Sequence, residues 1–212
     1  MTVAAIMTGS PVTVEKTTSV TDAQALLRQG RFHRLPVLNN RQKLIGIVSE
    51  KDLLYAAPSP GTALDVYEMS ELLNKLNVGD VMTEDVITVD ADTLVEDAAG
   101  IMVDNNIGGL PVMQDGQLIG IVTESDLFRL FIELFGTRRE GMRFTLRVPD
   151  RRGEIAAVAT AVAENGGNIV SLGTFPGNEQ RQHTVIMKVE GIDRETAVTI
   201  LEPLEVEVLD VR

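Results

Sequence analysis

Two short spacings carry groups that could do chemistry. Ser49 and Asp52 stand three residues apart, as do Thr123 and Asp126, each pair at the head of a run that reads as a helix. A hydroxyl and a carboxylate so spaced can cap a helix N-terminus, where the carboxylate is favoured by the macrodipole and satisfies free N–H groups. The same carboxylate can instead accept from two adjacent sugar hydroxyls, with the Ser or Thr adding a hydroxyl contact. The two readings are compatible and both stand. A third candidate is His33-Arg34, immediately before Leu35-Pro36-Val37. This pair could hold an anion through charge-assisted hydrogen bonds, or pair with a surface carboxylate, which is worth about 0–1 kcal/mol.

Composition removes several alternatives. The 212 residues include no cysteine, which excludes disulfides, thiol nucleophiles and cysteine-based zinc sites. A formal net charge of -12 repels phosphate backbones, so no nucleic-acid partner is expected. Residues 1–136 hold 9 Lys and Arg against 19 Asp and Glu, and none of the basic residues lies between Lys75 and Arg129. A cation in the front part is therefore scarce and its position informative. No nucleophile–base pair, glycine-rich phosphate loop or metal-ligand cluster is evident, so neither an enzyme nor a cofactor or metal is expected. His183, with no second histidine near it in sequence, reads as a packing or surface residue. No segment reaches the roughly 20 apolar residues of a membrane span, and "MTVAAIMTGSPV" lacks a basic leader region. A cytoplasmic protein with no membrane partner is expected.

An internal repeat positions these groups. "IMTGSPVTV" at 6–14 recurs as "VMTEDVITV" at 81–89, "LPV" at 35 recurs at 110, and "LIGIVSEKDLL" recurs as "LIGIVTESDLF". Met82 and Leu110 follow Met7 and Leu35 by 75 positions, whereas Asp126 follows Asp52 by 74. The lost residue falls at a hairpin, because Asn39-Asn40 and Asp115-Gly116 are turn dipeptides between apolar runs. Each repeat, about 1–57 and 78–135, predicts a short strand (12–14; 87–89), a helix, a hairpin and a second helix from Glu50 or Glu124. The first helices show apolar periodicity at Val20, Ala23, Leu26 and Leu27, matched by Val95, Ala98, Ile101 and Met102. Two copies are too few for a solenoid, so a face-to-face pair burying both hairpin sheets is expected.

Between the copies "PSPG" at 58–61 breaks the chain, and "VYEMSELLNKL" at 66–76 reads as a helix with Val66, Met69, Leu72, Leu73 and Leu76 on one face. Gly136 reads as a C-cap and "TRREG" as a linker, so the front domain is expected over 1–136 and a second over 142–212. The second domain predicts the order βαββαβ, a ferredoxin-like arrangement. There Phe144, Leu146 and Val148 alternate with Arg143, Thr145 and Arg147, so one sheet face is covered by helices and the other solvated or used in pairing. The fold class is α+β.

The "GIVSEKD" and "GIVTESD" segments, each following an "LPV", resemble the tandem CBS domain over roughly residues 1–135. The resemblance implies two βαββα units forming two clefts for adenosine-containing ligands such as AMP, ADP, ATP or S-adenosylmethionine, usually in a regulatory role. It implies that each cleft combines the first strand and the residues before "LPV" of one repeat with the Ser/Thr and Asp of the other. On that pattern Pro11, Val12 and Thr13 would lie beside the base, Phe32 would offer a stacking face, His33 and Arg34 would meet phosphate, and Thr123 and Asp126 would meet ribose. The His-Arg pair is also similar to the phosphate-contacting pair in the nucleotide-sensing subunit of AMP-activated kinase. The opposite cleft would use Val86, Ile87, Thr88, Gly108 and Gly109 with Ser49 and Asp52. Glycines let backbone approach a ligand but bring no charge, so the cleft with His33 is expected to be the tighter.

Residues 142–212 resemble the ACT domain, through Asp150-Arg151-Arg152-Gly153 at the first turn and Gly166-Gly167-Asn168-Ile169 at the second. Arg152 stands where that family commonly has proline. The resemblance implies an amino-acid effector at a dimer interface, near Asp150, Arg152, Gly153, Asn168 and Ile169; read as turn punctuation alone, the same residues would serve a domain that merely dimerises. The CBS–CBS–ACT order resembles the acetoin-utilisation AcuB-like regulatory proteins. The combined expectation is a non-catalytic homodimeric sensor of adenine nucleotide, with a small effector at the second domain and an unidentified target protein. The alternatives are a dimerising adaptor without ligand and a sensor of an S-adenosylmethionine-type ligand.

Overall fold

The computed structural model describes residues 1–56, 75–177 and 181–212, so the helix expected over 66–76 lies, up to residue 74, outside the described residues. Contacts divide the chain into Met1–Leu127 and Phe128–Arg212. In the first unit the first repeat forms β1 (Thr8–Gly9), β2 (Val14–Glu15), α1 (Val20–Gly30), β3 (Arg34–Leu38), β4 (Leu44–Ser49) and α2 (Glu50–Tyr55). The second repeat forms β5 (Val89–Asp90), α3 (Val95–Asp104), β6 (Gly109–Gln114) and β7 (Gln117–Thr123), and leads into α4 (Glu124–Leu134). β2 runs parallel to β3 and β5 parallel to β6, each across an intervening helix, as parallel neighbours require. β3–β4 and β6–β7 are antiparallel hairpins, the second closed by Asp115 and Gly116 at φ 50° and 75°. The first strands are shorter than expected, so Pro11–Thr13 and Ile87–Thr88 run off the sheet before pairing begins.

The sequence repeats are not the folding halves. Thr8 and Gly9 pair with Ile121 and Gly120 of β7, and Thr83 exchanges both backbone hydrogen bonds with Ile47 of β4 at 2.9 Å. The flanking turns follow: Val3 N–H donates to the Thr93 carbonyl, and Val78 N–H to that of Thr18, both at 2.8 Å. Val3 and Met7 accordingly pack with Val89, Ala98, Met102, Leu110, Val112 and Val122. Val78 and Met82 pack with Val14, Val20, Leu35, Val37, Val48 and Leu53. A glycine makes room for each exchange, since a Cβ on Gly46 would lie 2.5 Å from Met82 Sδ and one on Gly120 would lie 2.4 Å from Met7 Sδ. The boundaries near 1–57 and 78–135 thus describe the repeat in sequence, while residues 1–9 and 76–83 each complete the other half.

The second unit contains β8 (Met142–Pro149), α5 (Glu154–Glu164), β9 (Asn168–Pro176), β10 (Gln182–Glu190), α6 (Arg194–Thr199) and β11 (Glu207–Val211). The sheet is antiparallel in the order β11-β8-β10-β9, the expected ferredoxin-like arrangement. Phe144, Leu146 and Val148 join Val185, Met187 and Val189 under Val158, Val162, Ala197 and Leu201. The residues just after α4 pack on this sheet: a Cβ on Gly173 would lie 3.4 Å from the Phe135 ring, and one on Gly136 would lie 2.9 Å from Val170. By contacts the second unit begins at Phe128, inside α4, and includes the 137–141 stretch expected as a linker. Among the described residues no helix is long and apolar enough to cross a membrane.

Filling either glycine notch should be costly. Gly46→Val or Gly120→Val is expected to lower stability by about 1–3 kcal/mol, the range for overpacking a filled core, and Gly46→Val should also speed hydrogen exchange at the Thr83 amide. Urea unfolding and amide exchange read the two effects, and unchanged Thr83 protection would refute the notch.

Candidate functional site

A cavity of about 490 Å³ opens in the first unit, a volume typical of small-molecule sites. One wall is the start of α2. Ser49 Oγ accepts from the Asp52 N–H at 3.3 Å, while Asp52 Oδ2 accepts from the Ser49 N–H at 2.8 Å and hydroxyl at 2.7 Å. This capping box holds the Asp52 carboxylate through one oxygen at the cavity wall. A second wall is Asp85, Val86 and Ile87, led over the first hairpin by the Thr83–Ile47 pairing. Ile107, Gly108 and Gly109 form a third.

His33 and Arg34 complete the lining. Arg34 is the cross-strand partner of Ser49, and the Glu50 N–H donates to the His33 carbonyl at 2.9 Å, so the hairpin register sets both beside α2. His33 Nδ1 lies 3.3 Å from a Glu50 carboxylate oxygen, both side chains well exposed. The Arg34 side chain instead crosses to the second repeat. A Cβ on Gly108 would lie 2.7 Å from its Nη2, and one on Gly109 would lie 2.6 Å from its Nη1. Its Nε is buried with no hydrogen-bond partner. Burial pulls the guanidinium pKa down, against the carboxylates of Glu124 and Asp52, which pull it up. An arginine remains charged through such a shift, so the site holds a partly desolvated cation with a donor left over.

The expected groups regroup accordingly. Ser49, Asp52, Val86, Ile87, Gly108 and Gly109 share this cavity, whereas Thr88 does not line it. His33 and Arg34, expected with Thr123 and Asp126, line this cavity too, because the hairpin keeps them beside their own repeat's Ser49. Thr123 and Asp126 repeat the carboxylate side of this arrangement: Asp126 Oδ2 accepts from the Thr123 N–H at 2.9 Å and hydroxyl at 2.7 Å. Asp126 is 4% exposed, far more enclosed than its counterpart. Pro11 and Val12 follow Ser10, whose N–H donates to the Ile119 carbonyl at 3.1 Å, and Thr13 faces a shallow hollow with Leu38 and Asn39. Phe32 offers no stacking face to this cavity. Its ring folds back on the end of α1, where a Cβ on Gly30 would meet it at 2.0 Å. The cavity also includes Glu50, Lys51, Asp85 and Asn106, which sequence reasoning passed over. Glu50 could have been noticed, since Glu124 matches it inside "SEKD" and "TESD".

In the second unit three of the expected effector residues, Asp150, Asn168 and Ile169, are engaged within the domain. Asp150 pairs with His183 Nε2 at 3.0 Å, and Asn168 donates its amide to Glu190 Oε1 at 2.7 Å. Ile169 packs against the core, and Arg152 is exposed at the turn. Gly153, at φ 94°, begins α5 with open space where a Cβ would stand.

The CBS domain family matches residues 3–59 and 78–133, and the TTHA0829-like ACT domain family matches residues 140–212. Uncharacterized protein MJ1426 of Methanocaldococcus jannaschii is 39% identical over 145 residues, covering 58% of this chain and 86% of its own length. A putative acetoin utilization protein (AcuB) from Vibrio cholerae is similar in structure, with a TM-score of 0.54, 31% identity and coverage of 65% of this chain and 95% of that one. CBSX2 of Arabidopsis thaliana, solved in complex with AMP, has a TM-score of 0.52 at 34% identity over 65% of this chain and 98% of its own. The CBS domain pair of protein MJ0100, in complex with 5-methylthioadenosine and S-adenosyl-L-methionine, has a TM-score of 0.53 at 29% identity over 66% and 98%. With two repeats in register, a reciprocal exchange between them and a ferredoxin-like unit behind, this chain belongs to the CBS domain family and carries a C-terminal ACT domain.

Proposed function

We propose that the cavity binds an adenosine ligand bearing a single phosphate, AMP in the simplest case, and that the protein is a non-catalytic regulator. The observation that carries this reading is Arg34: a partly buried guanidinium with an unused Nε donor, in the same cavity as a carboxylate fixed by a capping box. Asp52 would accept from the ribose hydroxyls, Arg34 with His33 would meet the phosphate, and Val86 and Ile87 would flank the base. The AMP complex of CBSX2 supports the ligand class. The cleft served by His33 and Arg34 remains the tighter one in this reading, with Ser49 and Asp52 as its sugar-binding pair. Glu50, Asp52 and Asp85 line the cavity beside Arg34 and Lys51, so a triphosphate would meet as much repulsion as attraction. The same acidic lining favours a second reading, a cationic adenosyl ligand such as S-adenosylmethionine, which the MJ0100 complex supports.

Calorimetric titration of AMP, ATP and S-adenosylmethionine into the full chain separates these readings. AMP is expected to saturate and ATP to bind more weakly. Arg34→Gln should weaken AMP by about ten- to hundredfold, the span of a lost hydrogen bond to a charged group, while Asp52→Asn should weaken AMP and the adenosyl cation alike. Unchanged AMP affinity in Arg34→Gln would refute the phosphate assignment. Gly109→Ala should also weaken AMP, by displacing the guanidinium, whereas Gly100→Ala, whose Cβ enters open space, should bind as wild type; equal affinities in the two variants would show that the glycine seat is irrelevant.

A further inference from the structure

A second cavity, of about 410 Å³, lies within the second unit, on the sheet face opposite α5 and α6. We propose that it binds a small aromatic carboxylate that carries no amino group. This site is independent of the nucleotide reading, since its residues all follow Phe128. It is also separate from the turn residues of the ACT motif.

One wall is aromatic. Phe131 and Phe135 have ring centroids 4.6 Å apart, and Phe135 and Phe175 are stacked at 6.2 Å with 18° between their planes. Phe131 and Phe175 nevertheless remain 57% and 39% exposed, leaving ring surface that a planar apolar body would cover. The facing side is cationic, formed by Arg143, Lys188 and Arg212. Lys188 Nζ donates to the Gly136 carbonyl at 3.0 Å and to the Arg139 carbonyl, which anchors the ammonium at the end of α4. Arg143 and Arg212 exchange backbone hydrogen bonds at 2.7 and 3.0 Å, so their side chains leave directly opposed strand positions on one face. Arg212 Nε is paired with Asp210 at 2.9 Å.

The lining decides the class of ligand by what it offers. Among the described residues that form it, none has a carboxylate side chain, in a chain whose net charge is -12, although Asp210 pairs with Arg212 at its edge. An α-ammonium group would enter among three cations with the Thr137 hydroxyl as its side-chain acceptor in the lining, and like charges a few ångströms apart repel. Apart from the cations, Thr137 supplies the neutral polar side chain. The many donors of a nucleoside therefore have little to bond to, whereas a carboxylate needs donors alone. An aromatic ring on the phenylalanine wall and an acid group toward Arg143 use both halves of the site.

The matched pair 3-phenylpropanoate and L-phenylalanine, identical except for the amino group, tests this with the full chain by calorimetry and ligand-observed NMR. 3-Phenylpropanoate is expected to saturate at one site per chain, and L-phenylalanine to bind at least about tenfold more weakly. Arg143→Gln and Phe131→Ala, both exposed positions, should each weaken 3-phenylpropanoate by about tenfold. Absence of saturable binding, equal binding of L-phenylalanine, or undiminished affinity in both variants would overturn the proposal.

Discussion

The fold of the first unit depends on two thioethers entering two glycine notches. Met7 fits only where Gly120 has no side chain, and Met82 only where Gly46 has none. Each insertion fixes a short backbone pairing to the opposite hairpin, and that pairing decides where the next few residues go. Asp85, Val86 and Ile87 reach the Ser49–Asp52 capping box because Thr83 is bonded to Ile47 two strand positions before Ser49. The cavity is thus a product of the crossing, and neither repeat contains it alone.

The crossing also explains why the repeats differ where they do. His33-Arg34 in one copy corresponds to Gly108-Gly109 in the other, which reads at first as one charged cleft and one bare one. In three dimensions the two differences are a single event. The Arg34 guanidinium occupies the space that side chains at 108 and 109 would need, between a carboxylate of its own repeat, Asp52, and one of the other, Glu124. Two arginines at matching positions could not both be seated there. Burial of the charge is unfavourable, and the two flanking carboxylates offset it in part, leaving the cation available to a ligand.

Much of the architecture was legible in the sequence because it is written twice. The offset of 75 located the first helices and the strands before the hairpins, the offset of 74 after them located the paired hydroxyl–carboxylate caps, and Asp115-Gly116 marked the turn where one residue is lost. The ferredoxin-like order followed from the succession of strand and helix patterns over 142–212, and its covered face from the alternation of Phe144, Leu146 and Val148 with polar neighbours. Which half the "IMT" and "VMT" segments complete was not legible, because a repeat pattern records similarity between copies and carries no information about contacts between them. The position of His33 and Arg34 shows both influences: the hairpin register sets Arg34 opposite Ser49, while its guanidinium reaches Gly108, Gly109 and Glu124 of the other repeat. The packing of the Phe32 ring against Gly30 and the bond from Asn168 to Glu190 have no signal in the sequence, since both depend on side-chain direction.

The reciprocal exchange has an evolutionary consequence. A solitary ancestral copy would have possessed one empty slot and one unhoused methionine, and two such copies could satisfy each other as a homodimer by the same trade of termini. Joining two such copies end to end would demand no new packing, only a tether long enough to reach, after which the halves are at liberty to differ, as His33-Arg34 and Gly108-Gly109 do.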